Sequence, residues 1–225
     1  MGVRIKDISR GIVGAGLLAL GGIVLSDCTG NGLSYFSHVD SSGESVFYAI
    51  PAAWQRFNSS EVIRSADPKL STSSLSQIEQ QVWGNIIDAR QNGSLKSAAG
   101  FAASYPFGIV KAQALTAQEQ DAFSLASLRT LILPTDPLAP SSSTPHYKVI
   151  SYTTFVRPGG FRGSSMTVTM AVSGAATVEF EQVAMVNPAT TWAYVVGIGC
   201  TTRCFQQNQT EITSVIKSFG VEAVK

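Results

Sequence analysis

Three cysteines, two histidines and two closely spaced glutamates are the residues of this 225-residue chain whose type and spacing could carry chemistry. Cys200 and Cys204 sit in Gly199-Cys-Thr-Thr-Arg-Cys-Phe205, and two thiols this close form a disulfide in an oxidising compartment. Closing so short a loop contributes only about 2 kcal/mol in the chain-entropy view, so the pair reads as a staple. Its rival, a redox couple, fits less well, because thioredoxin-like motifs use C-x-x-C and this spacing is C-x₃-C. Zinc would need His38 and His146 to join the sulfurs, and neither has ligand spacing; no metal and no cofactor is assigned. His146 opens a β-rich stretch and, beside a nearby acid, would be the base of a hydrolase. His38 falls in a polar segment and reads as solvated. Glu179 and Glu181 share one face of a strand, but paired carboxylates do chemistry only across a cleft, and the wet face of a sheet accounts for them. No Gly-x-Ser-x-Gly, His-Glu-x-x-His or Gly-x-x-x-x-Gly-Lys motif occurs, so no catalytic residue is assigned.

Cys28 ends a signal of a different kind. Arg4, Lys6 and Arg10 precede an uncharged stretch, Gly11 to Leu25, of fifteen residues. That falls short of the roughly 20 needed to span a bilayer and suits the apolar region of a signal peptide. Leu25-Ser-Asp-Cys28 resembles the bacterial lipobox, in which the cysteine becomes the lipidated first residue of the mature chain. Leu25, Ser26 and Cys28 fit, while Asp27 stands where Gly, Ala or Ser is usual. The expectation is therefore a signal peptide over residues 1–27 and a palmitate-type anchor on Cys28, on the extracytoplasmic face of the cell membrane. Ordinary signal-peptidase cleavage and an uncleaved anchor are its alternatives. Gly14-Ala-Gly16-Leu-Leu-Ala19 has the spacing of a dinucleotide-binding turn but lies inside the apolar run, where no strand and helix can flank it. Without residues 1–27 the charges change from sixteen basic and fifteen acidic to thirteen of each. A neutral domain lacks the basic excess of a nucleic-acid binder, so no nucleic-acid partner is expected.

The elements that must position these residues follow from periodicity. Residues 28–44 read as a polar tether and 45–225 as a single domain, large enough to bury a sizeable core. Ser45 to Ile50 is strand-like and ends at Pro51. Leu75, Ile78, Val82 and Ile86 predict a helix over Ser74 to Arg90, with Ser74 and Gln77 as a capping box. Thr116 and Glu119 predict the cap of another helix running past Phe123 and Leu128. The proline- and serine-rich segment from Leu133 to Pro145 reads as a surface loop rather than a linker, because neither flank could cover a sheet alone. Beyond it, Tyr147 to Val156 and the alternating Met166, Val168, Met170 and Val172 predict a hairpin about a turn from Arg157 to Gly163. Val178 to Phe180 and Val183 to Met185 predict a third strand whose change of phase marks a bulge. Asn187-Pro188 turns the chain into a fourth, along Trp192, Tyr194, Val196 and Ile198. Ile212, Val215, Ile216 and Phe219 then give the stripe of an amphipathic helix lying across the sheet, stopped by Gly220, with Val221 to Val224 as a short edge.

Ile50-Pro-Ala-Ala-Trp54, the antiparallel meander, a strand ending in small residues and a cysteine, and the closing Ile216-Lys-Ser-Phe219 resemble the PsbP-like α/β/α sandwich family over Ser45 to Val224. Its actinobacterial envelope-lipoprotein branch is the most similar in layout. The resemblance implies an α+β fold, an antiparallel β-sheet flanked by helices on both faces, and non-catalytic roles, such as accessory subunits of the oxygen-evolving complex or a Ran-binding transport factor. It carries over no metal-binding or partner-binding set. Binding is instead expected at the Arg157 to Gly163 turn, where Arg157 and Arg162 flank Phe161 and would suit an envelope protein, an anionic glycan or a lipid headgroup. Trp54 and Trp83 could line a pocket between sheet and helices, or pack in the core. The reading is a membrane-anchored envelope lipoprotein acting as a binding or accessory module, against an envelope hydrolase using His146 or a structural spacer.

Overall fold

The computed structural model describes residues 32–95, 100–139, 146–171 and 177–224. Cys28 and the signal segment lie outside the described residues, as do Val172 and residues 140–145 of the proline-rich loop. Strands β1 (Leu33–Val39), β2 (Glu44–Pro51) and β3 (Gln55–Phe57) are followed by helices α1 (Ser59–Ala66) and α2 (Thr72–Glu79). Strands β4 (Val82–Asp88) and β5 (Phe107–Ala114) lead into the short helices α3 (Ala117–Asp121) and α4 (Leu125–Arg129). A run of strands comes next, β6 (Tyr147–Val156), β7 (Arg162–Ala171), β8 (Thr177–Val186) and β9 (Trp192–Thr201). The chain closes with α5 (Thr202–Gln207), α6 (Gln209–Ser218) and β10 (Gly220–Ala223).

These strands form two antiparallel sheets, a seven-stranded one ordered β3-β4-β5-β9-β8-β7-β6 and a three-stranded one ordered β1-β2-β10. The larger sheet buries both faces at its centre, which is why β9 is apolar at nearly every position. Because successive side chains point to opposite faces, Trp192, Tyr194, Val196, Ile198 and Cys200 of β9 meet Val46, Tyr48 and Ile50 of β2 and the apolar stripe of α6. Ala193 and Val195 point the other way, against Leu128 of α4 and Leu115. Farther along that second face, Met166, Val168, Val178 and Phe180 pack on Leu133 and, more loosely, on Phe101. The fold is thus α+β, with α6 and the small sheet on one face and α1, α2 and α4 on the other.

The stripe of α6 forms as expected, with Ile212, Val215 and Ile216 buried, and the Thr116–Glu119 capping box opens α3. That helix is short: it ends at Asp121, and α4 starts afresh after Ser124. Cys200 at the end of β9 and Cys204 in α5 are joined as a disulfide, with Cα atoms 5.9 Å apart.

Three expectations are corrected. The helix over Ser74 to Arg90 is two elements: α2 is capped by Ser71 rather than Ser74, and β4 begins at Val82. Ile78, Val82 and Ile86 satisfy a helical spacing, but Val82-Trp-Gly-Asn-Ile-Ile-Asp88 is rich in β-formers and gains a full ladder with β5. The tether stops short of its predicted end, since Leu33–Val39 is a strand paired along β2. β8 keeps regular register with both neighbours, so its change of phase reflects burial on two faces, and the register shift falls in β6 between Val149 and Ser151. The expected short edge after Gly220 forms as β10, paired with β2 in the small sheet.

Candidate functional site

The hairpin of β6 and β7 closes through Arg157–Phe161, with Gly159 and Gly160 at φ 81° and 85°, a region that favours glycine. Its three expected binding residues go to different places. Phe161 is only 2 % exposed and packs edge-on against Tyr194, so it anchors the turn to the core. Arg157 is half-buried: its Nη1 donates to the Phe219 carbonyl at 3.1 Å and its guanidinium lies over the Phe155 ring. Burial draws its pKa below the usual arginine value. Arg162 alone stays exposed, donating to Thr190 Oγ1 at 2.7 Å.

Arg162 borders an open cleft of about 460 Å³. Phe155, Val156 and Gly163 form one wall, Phe123 and Leu125 the other, and Ser124 and Thr154 add hydroxyls. Its shape depends on Gly163. The Phe155 ring lies across this glycine, and a Cβ there would come within 2.6 Å of the Ala184 carbonyl oxygen. Val156 is 73 % exposed although it ends a strand, because Phe155 beside it takes the inward position. Two adjacent apolar residues at a strand end were the available clue: alternation sends one of them outward. The cleft opens beside β6, which pairs only with β7 and leaves its other edge free among the described residues.

The remaining candidates are placed as follows. His146 is exposed just ahead of β6, without a hydrogen-bond partner among the described residues. His38, expected in solvent, is half-buried in β1 and stacked on Trp83 with ring centroids 4.6 Å apart. Burial lowers its pKa from 6.5, against the opposing pull of Asp40 and Glu79. Trp83 also meets Tyr48, whereas Trp54 borders a separate hollow of about 470 Å³ with Pro51, Leu33 and Glu211. Glu179 and Glu181 are half-buried rather than wet. Burial raises both carboxyl pKa values, and Lys217 of α6 offsets part of this for Glu181.

Sequence reasoning missed two polar features, one half-buried and one buried. Lys111 of β5 lies between hollows of about 210 and 300 Å³ under α1–α2 and α3–α4, and its Nζ donates to the Leu131 carbonyl at 3.4 Å. Burial lowers its pKa. On the other face, Asp40 and Glu44, 6 % and 9 % exposed, converge on the Tyr194 hydroxyl at 2.6 and 2.5 Å. Asn187 Nδ2 donates to Glu44 at 3.0 Å, while its side-chain oxygen accepts from the Thr191 and Trp192 backbone N–H groups. This network fastens the β1–β2 turn to the β8–β9 turn. Both carboxylates stand in a Ser- and Gly-rich turn, and nothing local marks them as buried.

No family model matches the chain, and no curated protein matches it. Among solved structures it is similar to the solution structure of cyanobacterial PsbP (CyanoP) from Synechocystis sp. PCC 6803, at 13% identity and a TM-score of 0.44, over 88% of this chain and 99% of that one. It is also similar to the crystal structure of LpqN, involved in cell envelope biogenesis, of Mycobacterium tuberculosis, at 10% identity and a TM-score of 0.41, over 85% of this chain and 92% of that one.

Proposed function

We propose that this chain is a cell-envelope lipoprotein, held by an acyl group on Cys28 at the extracytoplasmic face of the membrane, and that it acts as a binding module for an envelope partner. The observation that carries the binding reading is the edge of β6, unpaired among the described residues, beside the apolar cleft and Arg162. A strand edge offers unpaired backbone donors and acceptors, and an extended partner segment that pairs with it can seat a side chain in an adjoining pocket. Arg162 would select an acidic or carboxylate-bearing group at that end. The signal segment, the lipobox-like Cys28 and the disulfide support export, and among the described residues no helix is long and apolar enough to cross a membrane. The proposal assigns no reaction to the protein.

A photo-crosslinking residue at Val156 in intact cells tests the site. It should capture a defined partner that a probe at Ser214 does not, and Arg162→Ala should reduce that capture without lowering the melting temperature. Arg162 is the suitable target because Arg157→Ala would also remove the bond to Phe219. Equal capture at the two positions, or capture indifferent to Arg162→Ala, would remove the reading.

A further inference from the structure

We infer that the outer face of the three-stranded sheet rests on the lipid surface to which Cys28 is anchored, so that the domain is docked on the bilayer rather than suspended above it. Side chains of β1 alternate strictly. Phe36 and His38 turn inward onto Tyr48 and Trp83, while Leu33, Tyr35 and Val39 turn outward and are exposed, Tyr35 at 78 %. Phe47 of β2, opposite Ser37 in the ladder, shares that outer face and is exposed as well. Its ring lies across Gly220 of β10, where a Cβ would collide with it. The outward positions of β1 and β2 therefore carry Leu33, Tyr35, Ser37 and Val39 beside Ser45, Phe47, Ala49 and Pro51, with no charge among them and with Ala49 alone covered. Charge is met only at its two ends, as Glu222 opposite Ser45 on the far strand and as Glu211 of α6, which shares a hollow with Leu33 and Pro51. Single exposed apolar residues need no explanation, but a contiguous uncharged set on an edge strand does, because edges are ordinarily blunted by charge.

Chain length identifies what covers it. β1 begins at Leu33, five residues after Cys28, and five peptide units reach at most about 18 Å. The expected tether of residues 28–44 is thereby cut to residues 29–32, too short to lift the sheet clear of an anchored acyl chain. An uncharged face led by an exposed tyrosine suits the boundary between headgroups and acyl chains, where aromatic side chains concentrate. The tether raises the local concentration of that surface, so even weak burial of Leu33, Tyr35 and Phe47 holds one orientation. In that orientation the edge of β6, which belongs to the other sheet, is left for a partner.

This inference rests on acylation of Cys28, and the experiment separates the two. The full mature chain, made in bacteria with labelled palmitate, is reconstituted into vesicles of phosphatidylcholine and phosphatidylglycerol. An environment-sensitive fluorophore is placed through Tyr35→Cys and, in a second sample, through Ser65→Cys on α1, on the opposite face of the large sheet. The expected result is a blue-shifted emission at position 35, quenched several-fold more than at position 65 by lipids carrying spin labels near the headgroup, and insensitive to salt. A probe within about 5–10 Å of the headgroup boundary is well inside quenching range. Palmitate incorporation with equal quenching at both positions overturns the docking and leaves the anchor standing. A blue shift that follows protein concentration and ignores the quencher assigns the face to a second copy of the chain and also overturns it. Absence of palmitate overturns the anchor and the docking together.

Discussion

Replacing Tyr194 by phenylalanine isolates the hydroxyl that joins the two sheets. The ring is buried and its packing against Phe161 and Trp192 is kept, so the change opens no cavity and removes only the polar contact. The hydroxyl faces Asp40 Oδ2 and Glu44 Oε2 at hydrogen-bond distance but has one proton, so a single charge-assisted bond is lost, not two. Burial and these two carboxylates push the phenol pKa far above its usual value, which keeps it a donor at every working pH. A bond to a charged group contributes about 1.5–3 kcal/mol, and the remaining donors, Ser42 and Asn187, are already engaged. For a domain of this size each kcal/mol moves the melting temperature by about 2–4 °C. Tyr194→Phe should therefore lower it by roughly 3–12 °C, read by calorimetry on a soluble Cys28→Ser chain lacking the signal. In a Glu44→Gln background the same substitution should cost less, because an amide can donate to Asp40 in place of the lost hydroxyl, and residues sharing one network are non-additive. A fall below about 1 °C, or full additivity in the double variant, would show that the hydroxyl is a bystander in joining the sheets.

Three further outcomes follow from the geometry. His38 has a folded-state pKa below 6.5, so the unfolded chain binds the proton first and stability is lost as pH falls from about 6.5 through the folded value; His38→Phe should flatten this dependence in urea titrations at about pH 7.5 and about pH 5. Gly163→Ala forces a methyl against the Ala184 carbonyl and the Phe155 ring and should destabilise by about 1–3 kcal/mol, with the β6–β7 amides losing hydrogen-exchange protection first. Replacing Cys200 and Cys204 together by serine should cost about 2 kcal/mol in equilibrium unfolding, and a loss above about 4 would mean the bridge does more than close its short loop.

Much of the architecture was legible where burial is one-sided and local. The β6–β7 hairpin, the turn at Asn187, the stripe of α6 and the Thr116–Glu119 cap all rest on periodicity or capping within a few residues. The reading failed where one pattern satisfies two periods, as at Val82 and Ile86, and where both faces of a strand are covered, as in β8. Phe161 shows the same limit at the site. A phenylalanine between two arginines in a turn reads as exposed, yet the turn folds back and sends it into the core, leaving Phe155, Val156, Phe123 and Leu125 to line the cleft.

What the chain determined by itself is therefore local and compositional: the equal numbers of basic and acidic residues beyond position 27, the short spacing of Cys200 and Cys204, and the antiparallel order of β6 to β9. These depend on neighbours within a turn or a hairpin. Tertiary structure alone decided that residues read as a tether form β1, that β1, β2 and β10 make a separate sheet, and that Asp40 and Glu44 are buried against Tyr194. Each of these joins segments far apart in sequence, Glu44 to Asn187 and Tyr194, or β2 to β10. Such contacts form only when distant apolar faces meet, and no local pattern records which faces those will be.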